Sequence, residues 1–268
     1  MRRREFITTA AATACALGTS AGAARAAETM DKDLLELRIY HFASVAKLEA
    51  FESFLAGAAV PALNRLGVSP VGAFRLLRED NPDLKPETGG TDLHVLLPHR
   101  TAESVARLVG RLSADPAFTE SGKPILEAPK PDPAYVRFES SLLLCFDGCP
   151  RVEVPTKSAS RVLQLRIYES HNCERALKKI HMFNEGGEIQ IFRRCGMNPV
   201  FFGQALVGSK LPNLTYMLGF EDKAAMAKAW GAFGADPAWI RLKDDPAYKD
   251  TVSSITNLIL RPTASSQI

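Results

Sequence analysis

The sequence predicts an α+β protein built from two tandem ferredoxin-like units, and three observations carry that expectation. The phrase Leu37, Arg38, Ile39, Tyr40 returns as Leu165, Arg166, Ile167, Tyr168. The landmarks that follow each copy recur in the same order, the mark of a duplicated folding unit. Within each copy, hydrophobic periodicity runs strand, helix, strand, strand, helix, strand, the βαββαβ order.

The first strand of each unit alternates cleanly, with Leu35, Leu37 and Ile39 against Glu36, Arg38 and Tyr40, and Leu163, Leu165 and Ile167 against Gln164, Arg166 and Tyr168. A helix follows. Asn172 is a good cap for the second one, and Leu177, Ile180, Phe183, Ile189 and Phe192 form its apolar side. Both copies interrupt this helix at one place, Phe54–Gly57 and Phe183–Gly186, and both close it at a glycine, Gly67 and Gly196, with Pro70 and Pro199 three residues beyond. Strands are expected over 71–78 and 200–207, the second much richer in aromatic residues. The next pair of strands carries Leu93, Val95 and Leu97 against His94, and Leu214, Tyr216 and Leu218 against Thr215. Thr101 and Asp222 cap the following helices. Asp115–Pro116 and Asp236–Pro237 restart them, since aspartate caps and proline fits the first helical position. Final strands are expected over 138–146 and 252–260. The units therefore span 34–146 and 160–263, joined by a linker at 147–159.

A four-stranded sheet with helices on one face leaves its other face bare, and two such units in one chain can cover it by closing sheet against sheet into a barrel. Leu35, Leu37, Ile39, Leu93, Val95 and Leu97 are then expected under the helices. Glu36, Arg38, Tyr40, His94, Gln164, Arg166 and Tyr168 are expected in the space between the sheets, as a pocket for a small, partly apolar ligand. The competing readings are cross-strand ion pairs on a solvated face and an interior filled by side chains.

Other chemistry is sparse. There is no phosphate loop, no triad spacing and no cysteine–histidine pattern for a metal. Of His41, His171 and His181, His171 stands best for a ligand role, at a strand end, while His99 is expected in a solvated loop. Cys145 and Cys149 flank a turn at Asp147–Gly148, a spacing that permits a disulfide in an oxidising compartment, with two free thiols as the alternative.

The chain is 46% hydrophobic and 24% charged, the balance of a globular protein. Its formal charge of +3 is concentrated at the start, where Arg2, Arg3, Arg4 and Arg25 stand against Glu5, so the body is neutral and no nucleic-acid footprint is expected. Arg3–Arg4–Glu5–Phe6–Ile7, an Ala/Thr-rich run and Ala24–Arg25–Ala26 together read as a twin-arginine signal peptide over residues 1–26, cut near Ala26, which predicts a periplasmic protein with no transmembrane segment in the mature chain.

The second repeat, in FNEGGEIQIFRRCGMNPVFFG, PNLTYMLGF, AWGAFGADPAW and NLILRP, resembles the NIPSNAP family, and the first resembles a divergent copy that keeps LRIY, the glycine and proline after the helix, and the Asp–Pro marker. The resemblance spans residues 34–263. It implies a dimeric α/β barrel closed within one chain, and no agreed reaction. The wider barrel group includes cofactor-free monooxygenases and haem-degrading enzymes, which makes a monooxygenase-like or haem-handling enzyme the alternative to a binding protein. A structural homo-oligomer is the third expectation. The sequence requires no cofactor, and haem is the one considered.

Overall fold

The computed structural model describes residues 32–84 and 90–268. The signal peptide expected at 1–26 lies outside them. The first repeat consists of β1 (Leu34–His41), α1 (Val45–Phe54) continued by a π turn (Leu55–Ala59) into α2 (Val60–Arg65), β2 (Gly72–Leu76), β3 (Asp92–His99), α3 (Ala102–Ser113), α4 (Pro116–Leu126) and β4 (Arg137–Cys145). The second consists of β5 (Val162–Glu169), α5 (Cys173–Asn184), α6 (Glu188–Arg194), β6 (Asn198–Val207), β7 (Asn213–Phe220), α7 (Lys223–Ala235), α8 (Pro237–Lys243) and β8 (Ser254–Pro262).

Local chemistry places these boundaries. Ser44, Thr101, Asp115, Asn172, Asp222 and Asp236 each accept a backbone N–H of the first turn they cap, a contact that contributes about 1 kcal/mol. Gly67 and Gly196 end the first helical segments at φ +79° and +80°, a region that side-chain-bearing residues avoid. The shared interruption differs in form. Gly57 sits in the π turn, whereas the second repeat breaks outright at Gly186 and Gly187, where a Cβ on Gly186 would meet the Met182 carbonyl oxygen at 2.6 Å.

All eight strands are antiparallel and close a barrel in the order β1-β3-β2-β8-β5-β7-β6-β4. The repeats meet at two seams, β2 with β8 and β4 with β6. At the first, Asn81 bridges to both the N–H and C=O of Ile259, and Arg261 grips Asp80 with two nitrogens at 2.6 and 3.2 Å. Among the described residues no helix is long and apolar enough to cross a membrane.

Three apolar cores result: one under each set of helices and one inside the barrel. Here the structure corrects the expected facing of β1 and β5. Leu35, Leu37, Leu163 and Leu165 lie in the barrel interior, and Ile39 and Ile167 line a cavity there. Glu36, Arg38, Tyr40, Gln164, Arg166 and Tyr168 lie on the opposite, helix-covered face. The reason is register. Leu37 stands opposite Leu96, and Arg38 opposite Val95, and directly paired residues share a face. Odd positions of β1 therefore go with even positions of β3, so Leu93, Val95 and Leu97 do pack under helices while His94 does point inward. At one end the lumen is filled by Phe74, Phe201, Met217 and Leu35, with Ile268 buried beside them.

The cysteine and histidine expectations also change. Cys145 and Cys149 are free. Cys145 belongs to the barrel core and Cys149 to the second helix-side core, on opposite faces. Burial pushes both thiols up, Cys149 to about 12. His171 and His181 are exposed. His99 is fully buried at the end of β3, where its Nδ1 lies 2.9 Å from Ser104 Oγ of α3.

Candidate functional site

The strand alternation that exposes Arg38 and Tyr40 on the helix side of β1 places them in a cleft between sheet and helices. Its floor is Arg38, Tyr40, Val95 and Leu97, and its walls come from α1, the π turn, α2, α3 and α4, with Tyr135 and Phe138 at one side; the volume is about 310 Å³. That lies at the small end of ligand cavities, roughly 300–1,000 Å³. The walls are aromatic. Tyr40 stacks on Phe51 at 4.6 Å and Phe138 at 5.0 Å between centroids and meets Tyr135 edge-on at 5.3 Å. Val109, Leu126 and Phe138 stay exposed at the rim, as an open cleft requires.

A fixed polar group lies on the floor. Glu36 accepts two hydrogen bonds from Arg38, at 2.7 and 2.8 Å, and one from Ser140 at 2.8 Å, with His99 Nε2 at 3.8 Å in electrostatic range. Burial acts to raise its carboxyl, but His99, Arg38 and Ser140 outweigh that and hold it down to about 2. Arg38 also donates to the Tyr40 hydroxyl at 3.3 Å, and its guanidinium carbon lies 5.2 Å from the Phe138 ring centre. Burial pushes the Tyr40 phenol up, so it stays protonated at neutral pH. A guanidinium has five N–H donors. Three are committed, so one on Nη1 and one on Nη2 have no partner among the described residues.

The matching cleft of the second repeat is filled. Where the first repeat has Val95, Val109, Leu112 and Phe118, the second has Tyr216, Trp230, Phe233 and Trp239, all packed in one core. Trp230 Nε1 donates to Gln164 Oε1 at 2.7 Å, and Gln164 in turn donates to Asn257 at 2.8 Å. The Tyr216 hydroxyl donates to that of Tyr168 at 2.9 Å. Arg166 lies over the Trp230 and Tyr168 rings, at 4.8 and 5.3 Å. Lys179 and Glu188 occupy the positions of Ala50 and Ala59 and form a fully buried ion pair at 2.8 Å. Burial still leaves the Glu188 carboxyl above its ordinary range, despite Lys179 and Arg166.

Of the seven residues singled out from sequence, the structure thus gathers Arg38 and Tyr40 at an open cleft, with Glu36 hydrogen-bonded to Arg38, and Gln164, Arg166 and Tyr168 in a closed one, and leaves His94 in the lumen. His99 and Ser140, which complete the Glu36 network, are the residues sequence reasoning missed. His99 had a signal, since it continues the alternation Val95, Leu97. No histidine and no cysteine stands in the open cleft to ligate a haem iron. Among the described residues no cluster of histidine, cysteine, aspartate or glutamate could hold a metal ion.

Two solved structures overlay most of the chain. A candidate monooxygenase, by name, from Lactobacillus acidophilus is 10% identical with a TM-score of 0.55, covering 86% of this chain and 94% of its own. Another so named, from Fusobacterium nucleatum, is 8% identical with a TM-score of 0.53, covering 86% and 92%. At that identity the likeness shows the fold alone. A NIPSNAP family protein from Agrobacterium tumefaciens is 22% identical over 40% of this chain and 98% of its own, with a TM-score of 0.36. No curated protein matches the chain in sequence. The NIPSNAP family model matches residues 163–267, which are the second repeat from β5 to the end of the chain. Over residues 163–267, its second repeat, the chain is similar to the NIPSNAP family.

Proposed function

We propose that the chain is an exported binding protein for a small, partly apolar molecule that carries a ring and an acceptor oxygen, held in the cleft of the first repeat. The observation that carries this reading is that Arg38, which keeps two N–H groups without a partner among the described residues, lines with Tyr40 an aromatic-walled cavity of about 310 Å³. Glu36 already balances the Arg38 charge, so a neutral phenol or carbonyl suits the site as well as an anion does. This moves the ligand from between the sheets, where the residues were first expected, to between sheet and helices.

Titration with 1-naphthol, followed by its fluorescence, tests the reading. Saturable binding is expected. Arg38→Met should weaken it roughly tenfold or more, the loss of one or two hydrogen bonds to a charged donor. Val109→Trp, which copies Trp230 of the closed cleft, should abolish it. Absence of saturable binding, or binding untouched by Val109→Trp, sinks the proposal.

The names of the Lactobacillus and Fusobacterium structural neighbours supply a second reading, oxygenation of the bound ring compound. Ligand-dependent oxygen uptake by the purified protein supports it, and none removes it. Export rests on residues 1–26. Replacing Arg3 and Arg4 by lysine should leave the chain in the cytoplasmic fraction, and unchanged periplasmic recovery would count against a twin-arginine route.

A further inference from the structure

We propose that the open end of the barrel is a second ligand site, taking an uncharged, largely aliphatic molecule whose single hydroxyl or carbonyl group hydrogen-bonds to His94. A cavity of about 330 Å³ lies there, its apolar wall formed by Leu37, Ile39, Leu165, Ile167 and Leu258 and its polar lining by hydroxyl and amide side chains such as Thr215 and Asn213. His94 lines it and is 2% exposed, and its Nδ1 is buried with no hydrogen-bond partner among the described residues. A buried polar nitrogen without a partner is costly and is normally satisfied. A group supplied by a ligand satisfies it here.

The chemistry of the site narrows the ligand. Burial holds the imidazole down to about 4, so at neutral pH it is uncharged and offers one donor and one acceptor. Glu139 is the charged group among the lining residues. His41 stands between it and Asp92, with Nε2 3.4 Å from Glu139 and Nδ1 2.9 Å from Asp92. A carboxylate at this mouth disfavours anionic ligands. The aliphatic walls differ from the ring-lined cleft of the first repeat, and the two spaces lie on opposite faces of β1.

The probe is 1-octanol, added to protein labelled with ¹³C and ¹⁵N at histidine. One imidazole is expected to shift saturably, with nuclear Overhauser contacts from the octanol methylenes to that ring and to Leu37 methyls. His94→Leu should weaken binding roughly tenfold by calorimetry. Leu165→Trp, which fills the lumen, should abolish it, while Val109→Trp, which fills the other cleft, should leave it unchanged. The wild-type contacts do not depend on any variant folding. Contacts to Phe51 or Phe138 instead, no imidazole shift at saturating octanol, or full affinity in His94→Leu overturns the proposal.

Discussion

Replacing Lys179 by methionine strips Glu188 of its ion-pair partner in a site where the two side chains are 5% and 2% exposed. Breaking a buried pair this way costs about 3–5 kcal/mol. Arg166 also acts on Glu188, so the low end, about 3 kcal/mol at pH 7.5, is expected. The cost should depend on pH. Without Lys179 the folded carboxyl titrates further above its ordinary value of 4.5, so between those two values the folded state holds more protons than the unfolded chain. Stability of the variant therefore falls as pH rises from 4.5, and the penalty largely disappears at pH 4.5, where Glu188 needs no cation. Urea unfolding followed by tryptophan fluorescence reads this directly, because the two tryptophans of the chain, Trp230 and Trp239, both pack in the same core. The double variant Lys179→Met/Glu188→Leu should recover most of the loss, since apolar replacement of a buried pair is often neutral or stabilising. A destabilisation equal at pH 4.5 and 7.5, or a double variant no more stable than the single one, would refute the reasoning.

Two other buried groups make acid stability separable by window. His94 is held down to about 4 from 6.5, so its contribution is complete above pH 6.5 and is lost as pH falls through 4; wild type should lose about 3 kcal/mol more than His94→Leu between pH 7 and pH 4 in urea melts, at about 1.4 kcal/mol per pKa unit. Glu36, held down to about 2 from 4.5, contributes fully above pH 4.5 and loses that contribution as pH falls through 2; Glu36→Gln should flatten the lower window by a similar amount and leave the fall between about pH 7 and pH 5 unchanged. If the two variants flatten the same window, these assignments fail.

The element order and the caps were legible because their chemistry is local. An Asp–Pro pair sets a helix start wherever it occurs, and Asp115 and Asp236 each cap in the way their neighbours imply. Facing was legible only in part. Alternation shows that Leu37 and Arg38 lie on opposite sides of β1 but not which side carries the helices, and that depends on whether Leu37 meets an odd or an even residue of β3. One step of register decides it. The asymmetry of the two clefts was written in the repeats and visible on alignment: each open position of the first copy, Val95, Val109 and Ala59, carries a larger side chain in the second, Tyr216, Trp230 and Glu188. The Glu36–His99 contact was harder to read, because it requires knowing that β1 and β3 are neighbours, which no local pattern states.

The connection from β4 to β5 makes the barrel one polypeptide, and that changes the arithmetic of substitution. In a barrel assembled from two identical subunits every replacement is made twice, so a bulky or charged side chain must be tolerated in both halves at once. Here each position occurs once. Trp230 and the Lys179–Glu188 pair brace one half without closing the other, and a change confined to residues 34–145 leaves its counterpart wall untouched.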